Sequence, residues 1–442
     1  MDVTSTLRTG VAAIVTTFAI AAGCCASATV SSASTETDPF WYYNLLGFEA
    51  IHDSGLTGEG VTIAVIDAAI NPEVPTLQGA DLRIQDTFCL DANGVPLPGT
   101  SDDYEISDHG TNVVSYLIGT GAGYDGETGV KGVAPGATVL YYPFLSGGTG
   151  DLPDCTFAVG SPTEGGQDEL EFGLAFEAAV AAGVDIISVS VVGGGDDRML
   201  GAMGEAVREG IIVVGGLGND DGVSIDGAPG ILNGTVSVLG AQSNGELNFG
   251  VGDEPNTSEY VQVIGPGWEI AWQGSEGDWT VQRTSSGTSI ATPIVAGSLA
   301  LAKQKYPQAS GDQLLQSMIH NTGQEGGDAV WDPTYGYGFV VPDTLLAADP
   351  TQYPDVNPLL TDLPLGEYGP LGQPSRLPEL IDIFPEGVST TAEPTGETTG
   401  GSSDGSASGS LGTIALFGGI GLLVLVLVIS VTVVVVTRKK AS

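Results

Sequence analysis

The chain has 442 residues, with 12 Lys and Arg against 54 Asp and Glu, so its formal charge is 12 − 54 = −42. That balance excludes a nucleic-acid binder, because affinity for a phosphate backbone needs a basic stripe. At 42% hydrophobic and 15% charged residues the chain is also too apolar to be disordered, and its length allows up to about three domains.

Taken in chain order, Arg8 precedes an apolar stretch from Val11 to Ala22 and then the small residues ASATVSSAS. This is the layout of a secretory signal peptide, assigned to residues 1–28 with cleavage after Ala28. Cys24 in AAGC weakly resembles a lipoprotein acceptor but lacks the strongly apolar residue expected upstream, so a cleaved signal is the preferred reading. Residues 38–349 then alternate between two patterns. Short apolar runs (VTIAVID, ATVLYYPF, VDIISVSV, GIIVVGG, GTVSVLGA) are separated by segments of helical periodicity such as LEFGLAFEAAVAAG and MLGAMGEAVREG. Strands apolar throughout are buried on both faces. With helices between them they predict an α/β domain, a mainly parallel central sheet flanked by helices.

Residues 350–412 change character, from a Pro-rich stretch to TTAEPTGETTGGSSDGSASGS, with nine carboxylates against the single base Arg376. They read as an extended acidic stalk, although the recurrent leucines of the first half leave open that it packs along the domain. Residues 413–437 form an apolar run of about the ~20 residues that span a bilayer, a C-terminal transmembrane helix that brings the lipid bilayer in as a partner. Residues 438–442 open with Arg438, Lys439 and Lys440, which the positive-inside rule places in the cytoplasm. The chain is therefore expected to be a single-pass protein of the cell membrane, its large domain extracellular and its C-terminus cytoplasmic.

In parallel α/β sheets, sites form at the carboxyl ends of strands, and four polar residues stand there or at helix starts. Asp67 ends VTIAVID; taken alone it is a turn or cap residue. His109, in DHGTNVVSYLIG, opens an apolar helix-like segment, while the other two histidines, His52 and His320, look like surface or helix-end residues. Asn219 follows GIIVVGGLG and alone would be a left-handed turn residue. Ser289 lies in SSGTSIATPIVAG, where Gly287 permits a sharp turn, and alone would be an N-cap. Together they supply the parts for acyl transfer. A Ser hydroxyl needs a base to take its proton; an imidazole held by a buried carboxylate suits that task. An Asn amide beside a backbone N–H at a helix N-terminus can hold a tetrahedral oxyanion.

These residues resemble the subtilase family of serine proteases, in its chain order Asp, His, Ser. The resemblance runs over about residues 40–348 and rests above all on GTSIATPIVAG, with HGT, the GN turn, GVAPGATVLYYP, DIISVSVVGG and YGYGFVVPDTLLA in support. It implies a three-layer subtilisin-like fold and a serine endopeptidase acting on polypeptide substrates. Asp67, His109 and Ser289 would be catalytic, Asn219 would belong to the oxyanion hole, and Ser190, Gly193 and Gly194 would line the substrate cleft. Two departures stand out. Ala68 and Ala69 follow Asp67 where the family has Thr or Ser and then Gly, and the family's HGTHVAG is here HGTNVVS, with Asn112, Val114 and Ser115 changing how the His helix packs.

About 39 residues separate the signal from Asp67, too few for a long folding prosegment. With the membrane anchor, that layout is similar to the mycosins of type VII secretion systems, which implies such a membrane complex as a partner. Outside the cell, Cys89 and Cys155 are most simply a disulfide, worth ~4 kcal/mol on the chain-entropy reading; two buried thiols are the alternative. No cofactor is implied; the abundant carboxylates could bind structural Ca²⁺, but no segment has the ordered spacing of a Ca²⁺ loop, so no metal site is assigned. A catalytically weak or inactive scaffold that stabilises a secretion complex stands as the alternative function.

Overall fold

Eight helices and eleven strands run through the described residues of the computed structural model: 38–145, 156–157, 167–191, 197–219, 229–247, 260–323 and 329–360. Two short helices, α1 (Trp41–Leu45) and α2 (Phe48–Asp53), lead into β1 (Thr62–Asp67) and β2 (Leu82–Ile84). The helix α3 (Tyr104–Ile118), the antiparallel pair β3 (Thr120–Ala122) and β4 (Thr128–Lys131), and β5 (Thr138–Pro143) follow. Next come α4 (Gln167–Ala181), β6 (Ile186–Val189), α5 (Asp197–Arg208), β7 (Ile212–Gly216), β8 (Val236–Ala241) and β9 (Val263–Pro266). A hairpin of β10 (Ile270–Ser275) and β11 (Asp278–Ser285) precedes α6 (Thr288–Lys305), α7 (Gly311–His320) and α8 (Pro342–Ala347).

The central sheet has seven strands in the order β2-β5-β1-β6-β7-β8-β9, every pair parallel. Alternate side chains of β1 enter different cores. Ile63 and Val65 pack with Val113, Val114 and Leu117 of α3 and with Ile290, Ile294 and Leu299 of α6. Ala64 and Ile66 pack with Phe172 and Phe176 of α4 and Met199 and Met203 of α5. Helices thus cover both faces, as continuously apolar parallel strands require. This is the expected three-layer α/β arrangement. The chain builds outward from β1 to β2 and β5, then crosses back to β6; the crevice beyond the carboxyl ends of β1 and β6 lies where the winding reverses, which is where such folds place ligands.

Residues 350–360, expected to begin the stalk, lie against this domain. The Tyr353 ring stacks on His320 with centroids 5.1 Å apart. Asn357 Nδ2 donates to the Gly234 carbonyl at 2.9 Å, and Leu359 is buried in the main core. His52, expected at the surface or at a helix end, lies in the last turn of α2, half-buried between the Tyr43 hydroxyl (3.0 Å) and the Val133 carbonyl (2.9 Å). The chain divides into two units, Met1–Val388 and Ser389–Ser442, and the second falls outside the described residues. So do the expected signal, the rest of the stalk, the transmembrane run 413–437 and the basic tail. Among the described residues no helix is long and apolar enough to cross a membrane.

Candidate active site

Asp67 is the last residue of β1 and is fully buried, so its carboxylate must be met by protein donors. Its Oδ1 accepts the Ala68 N–H at 2.8 Å and the His109 Nδ1–H at 2.7 Å. Among the described residues its Oδ2 has no partner. This is where the departure to alanine shows, since a hydroxyl-bearing residue after Asp67 would have offered a local donor. His109 stands in the second turn of α3, which starts after Asp103, whose side chain accepts the Glu105 N–H. The imidazole retains 32% of its side-chain exposure, so it is open to the cleft while Asp67 is sealed beneath it. Burial alone would push the imidazole pKa down. The charge and hydrogen bond of Asp67, with the charge of Asp108, more than offset this and leave it above the ordinary histidine value. With Nδ1 donating to Asp67, Nε2 carries the lone pair that a general base needs.

The helix bearing His109 is clipped to the β10–β11 hairpin by three of its side chains. Asn112 donates from Nδ2 to the Gln273 carbonyl (3.0 Å) and accepts the Gln273 N–H on Oδ1 (2.7 Å). The Tyr116 hydroxyl donates to the Ala271 carbonyl at 2.6 Å and the Tyr104 hydroxyl to that of Gly274 at 3.2 Å. The first of these explains the other departure: an asparagine, with an amide NH2 and a carbonyl oxygen, fits both backbone groups of a single residue, and its Nδ2 also donates to the Asp108 carbonyl at 2.9 Å. On the hairpin, the Trp272 ring lies 6.2 Å from His109, and Arg283 stacks over Trp272 at 5.3 Å.

Ser289 is the second residue of α6, where backbone N–H groups have no intrahelical acceptor. Pro293 sits four residues later and has no N–H to give to the Ser289 carbonyl. The Ser190 hydroxyl donates there instead at 3.1 Å, and in return Ser289 Oγ donates to the Ser190 carbonyl at 3.1 Å. The nucleophile candidate is thus clipped to the residue just past β6, and it makes no hydrogen bond to His109 in this structure. Apo sites commonly close that bond only when substrate is present. Asn219 follows β7, and its Oδ1 accepts the Thr288 N–H at 2.8 Å. A backbone N–H can only meet the carbonyl end of the amide, so Nδ2 is turned away from Thr288. Gly287 has φ 160°, an extended backbone rather than the sharp turn expected. Its glycine matters for space instead, since an added Cβ would lie 3.3 Å from Asn219 Nδ2.

The structure therefore joins Asp67 to His109, Ser190 to Ser289, and Asn219 to the start of the Ser289 helix. Gly193, Gly194 and Cys155 lie outside the described residues. Among the described residues no group of three or more His, Cys, Asp or Glu could hold a metal ion. Sequence reasoning missed Pro293 and Tyr141. The first was legible as a proline inside an otherwise helical run; the second, a tyrosine among apolar strand residues, gave no usable signal.

A doubly wound sheet carrying a buried Asp–His pair, with a serine at a helix start across the same crevice, defines a hydrolase of the serine-nucleophile class. The profile described as the Subtilase family matches residues 58–338, and the chain belongs to that family. It is a subtilisin-like serine protease. It is 28% identical to subtilisin Savinase of Lederbergia lenta over 306 residues, covering 68% of this chain and 96% of that one. To the intracellular serine protease of Paenibacillus polymyxa it is 33% identical over 255 residues, 56% of this chain and 68% of the other. It matches the minor extracellular protease Epr of Bacillus subtilis at 27% identity, spanning 42% of that protein's length. Among solved structures it is similar in fold to MycP1 from the ESX-1 type VII secretion system, with a TM-score of 0.53 and 20% identity over 75% of this chain and 91% of that one.

Proposed function

We propose that the protein is a membrane-anchored extracellular endopeptidase that cleaves polypeptide chains through an acyl-enzyme on Ser289. The observation that carries the roles is the 2.7 Å bond from His109 Nδ1 to a carboxylate of Asp67 with no solvent exposure. A buried, oriented Asp holds the imidazole in the tautomer with Nε2 free and stabilises the imidazolium once it forms. In the proposed cycle Ser289 Oγ leaves the Ser190 carbonyl, gives its proton to His109 Nε2 and attacks the scissile carbonyl. The oxyanion is met by the Ser289 N–H and Asn219 Nδ2. His109 then protonates the departing amine, and a water, deprotonated by the same imidazole, hydrolyses the ester. Substrate would lie along the backbone of Ser190, Gly193 and Gly194.

The bond from Ser289 Oγ to Ser190 rather than to His109 favours a second reading, a catalytically silent scaffold that supports a secretion complex. A fluorophosphonate probe on the detergent-solubilised full chain separates the two. Labelling of wild type that is abolished in Ser289→Ala, with peptide hydrolysis lost by ~10⁴-fold or more, supports the enzyme. An unlabelled wild type, or a Ser289→Ala variant that hydrolyses peptide undiminished, sinks it.

For location, the apolar run 413–437, the basic residues after it and the N-terminal signal support a single-pass topology with the domain outside the cell. Protease shaving of intact cells should release the domain and spare a tag placed after Lys440; the reverse outcome overturns the orientation. The layout and the fold likeness to MycP1 support a link to a type VII secretion complex. For the proposed Cys89–Cys155 bridge, Cys89 is engaged in a disulfide, and Leu90 pairs with Thr156 through two backbone bonds of 2.8 and 3.0 Å, which bring the neighbours of both cysteines together.

A further inference from the structure

Tyr141 occupies the middle of β5, paired in register with Val65 of β1. In a parallel pair, residues in register point to the same face, and alternate residues of one strand share a face. Tyr141 therefore rises on the side of the sheet that carries Val65 and Asp67, toward α3. It is fully buried, and its hydroxyl donates to the Ala68 carbonyl at 2.5 Å. Ala68 in turn donates its N–H to Asp67 Oδ1, the oxygen that His109 uses. One residue thus has its carbonyl held by Tyr141 and its N–H held on the carboxylate.

The same phenol meets the other partner of the pair. A Cβ at Gly110 would lie 2.0 Å from the Tyr141 hydroxyl oxygen and 2.9 Å from the Ala69 carbonyl. Only the absence of a side chain after His109 lets the helix sit down on Tyr141. The hydroxyl is wedged between the Asp67 turn and the helix that carries His109.

The need for such a brace follows from what the turn lacks. Asp67 Oδ2 is buried with no partner among the described residues, so they grip the carboxylate through Oδ1 and a loosening of the Ala68 peptide turns it. Ala68 and Ala69 offer no side-chain donor. Among the described residues the side-chain hydroxyl bonded to either of them is that of Tyr141. We propose that Tyr141 is a positioning residue: through the Ala68 peptide and Gly110 it sets the geometry in which Asp67 orients His109 for the reaction.

The inference rests on the catalytic roles given to Asp67 and His109 above. The test is Tyr141→Phe in the full chain, which keeps the ring and removes the hydroxyl. Active sites are counted with a fluorophosphonate, and peptide hydrolysis is followed against pH. Expected are a fall in kcat of ~10-fold with KM within about twofold, since misplacement by a fraction of an ångström weakens proton transfer more than binding. The acidic limb of kcat/KM should also move down by ~0.5 pH unit, because a slackened carboxylate no longer holds the imidazolium as well. The second-order labelling rate against pH gives the same limb and does not depend on how much folded protein is recovered. Unchanged kcat and an unmoved limb per counted site, even with a lowered Tm, would make Tyr141 a packing residue and overturn the proposal. If wild type itself is not labelled at Ser289, it is the functional reading that fails, and the two failures are told apart.

Discussion

On the Asp67–His109 side of the crevice the geometry is held mostly by side chains reaching across the fold: Tyr141 from β5 to Ala68, and Asn112 from α3 to Gln273 of the hairpin. On the Asn219–Ser289 side it is held by the backbone of a helix start, with Thr288 N–H on Asn219 Oδ1 and Ser190 Oγ on the carbonyl that Pro293 leaves free. The second side is a local motif. Every feature it needs, from Gly287 to Pro293, lies within seven consecutive residues apart from two anchors. The first side is assembled from four distant segments, the end of β1, α3, β5 and the hairpin, and there the chain departs from the subtilase pattern at Ala68, Ala69 and Asn112. A site half made of backbone tolerates few substitutions, because the groups that act are the chain itself. A half made of tertiary contacts can exchange one brace for another.

That contrast can be broken from either side. Asn219→Ala should remove one oxyanion donor and lower kcat by ~10²–10³-fold with little change in KM; a loss confined to KM would place the amide in ground-state binding instead. The Asp67–His109 pair predicts the pH profile. Its imidazole pKa is raised and the base must be neutral to act, so the acidic limb of kcat/KM should fall above pH ~6.5. Below it activity should drop about tenfold per pH unit, and a limb below the ordinary histidine value would mean burial outweighs Asp67. The stability consequence has the opposite sense: the raised folded-state value makes the pair stabilising at low pH, and that contribution fades as pH rises through it.

Asn112→Leu keeps the volume but strips the Gln273 N–H and carbonyl of their partners. It should cost ~2–4 kcal/mol in urea unfolding and lower kcat severalfold as the hairpin beside His109 loosens. Full stability in that variant would show the clip to be dispensable. The smallest effect is expected from Ala68→Thr, which restores a hydroxyl near the unpartnered Asp67 Oδ2. Turnover should stay unchanged or rise up to about threefold; a marked loss would show that the alanine is required there, for instance by the closeness of Tyr141.

How much of this was readable beforehand depends on the range over which each feature is encoded. The runs around Asp67, Ser190 and Asn219 announced buried parallel strands because their apolar character is continuous. The four site residues could be singled out because each is a polar residue at the end of such a run or the start of a helix. Asn112 was visible only as an oddity, since its partner Gln273 is 161 residues away. In sequence Gly287 has the look of a turn glycine, whereas in the fold it leaves room for the Asn219 amide.

By itself the sequence determined the α/β layering, the parallel strands and the chain order of Asp, His, Asn and Ser, because periodicity and helix-start chemistry act over a few residues. It also carried the apolar run and basic tail behind the expected anchor. Only tertiary structure decided that Tyr141 supports the turn after Asp67, that Ser190 takes the carbonyl freed by Pro293, and that Ser289 Oγ points at Ser190 instead of His109. A buried polar group is satisfied by whichever partner packing brings within ~3 Å, and that choice is made between segments the sequence keeps far apart.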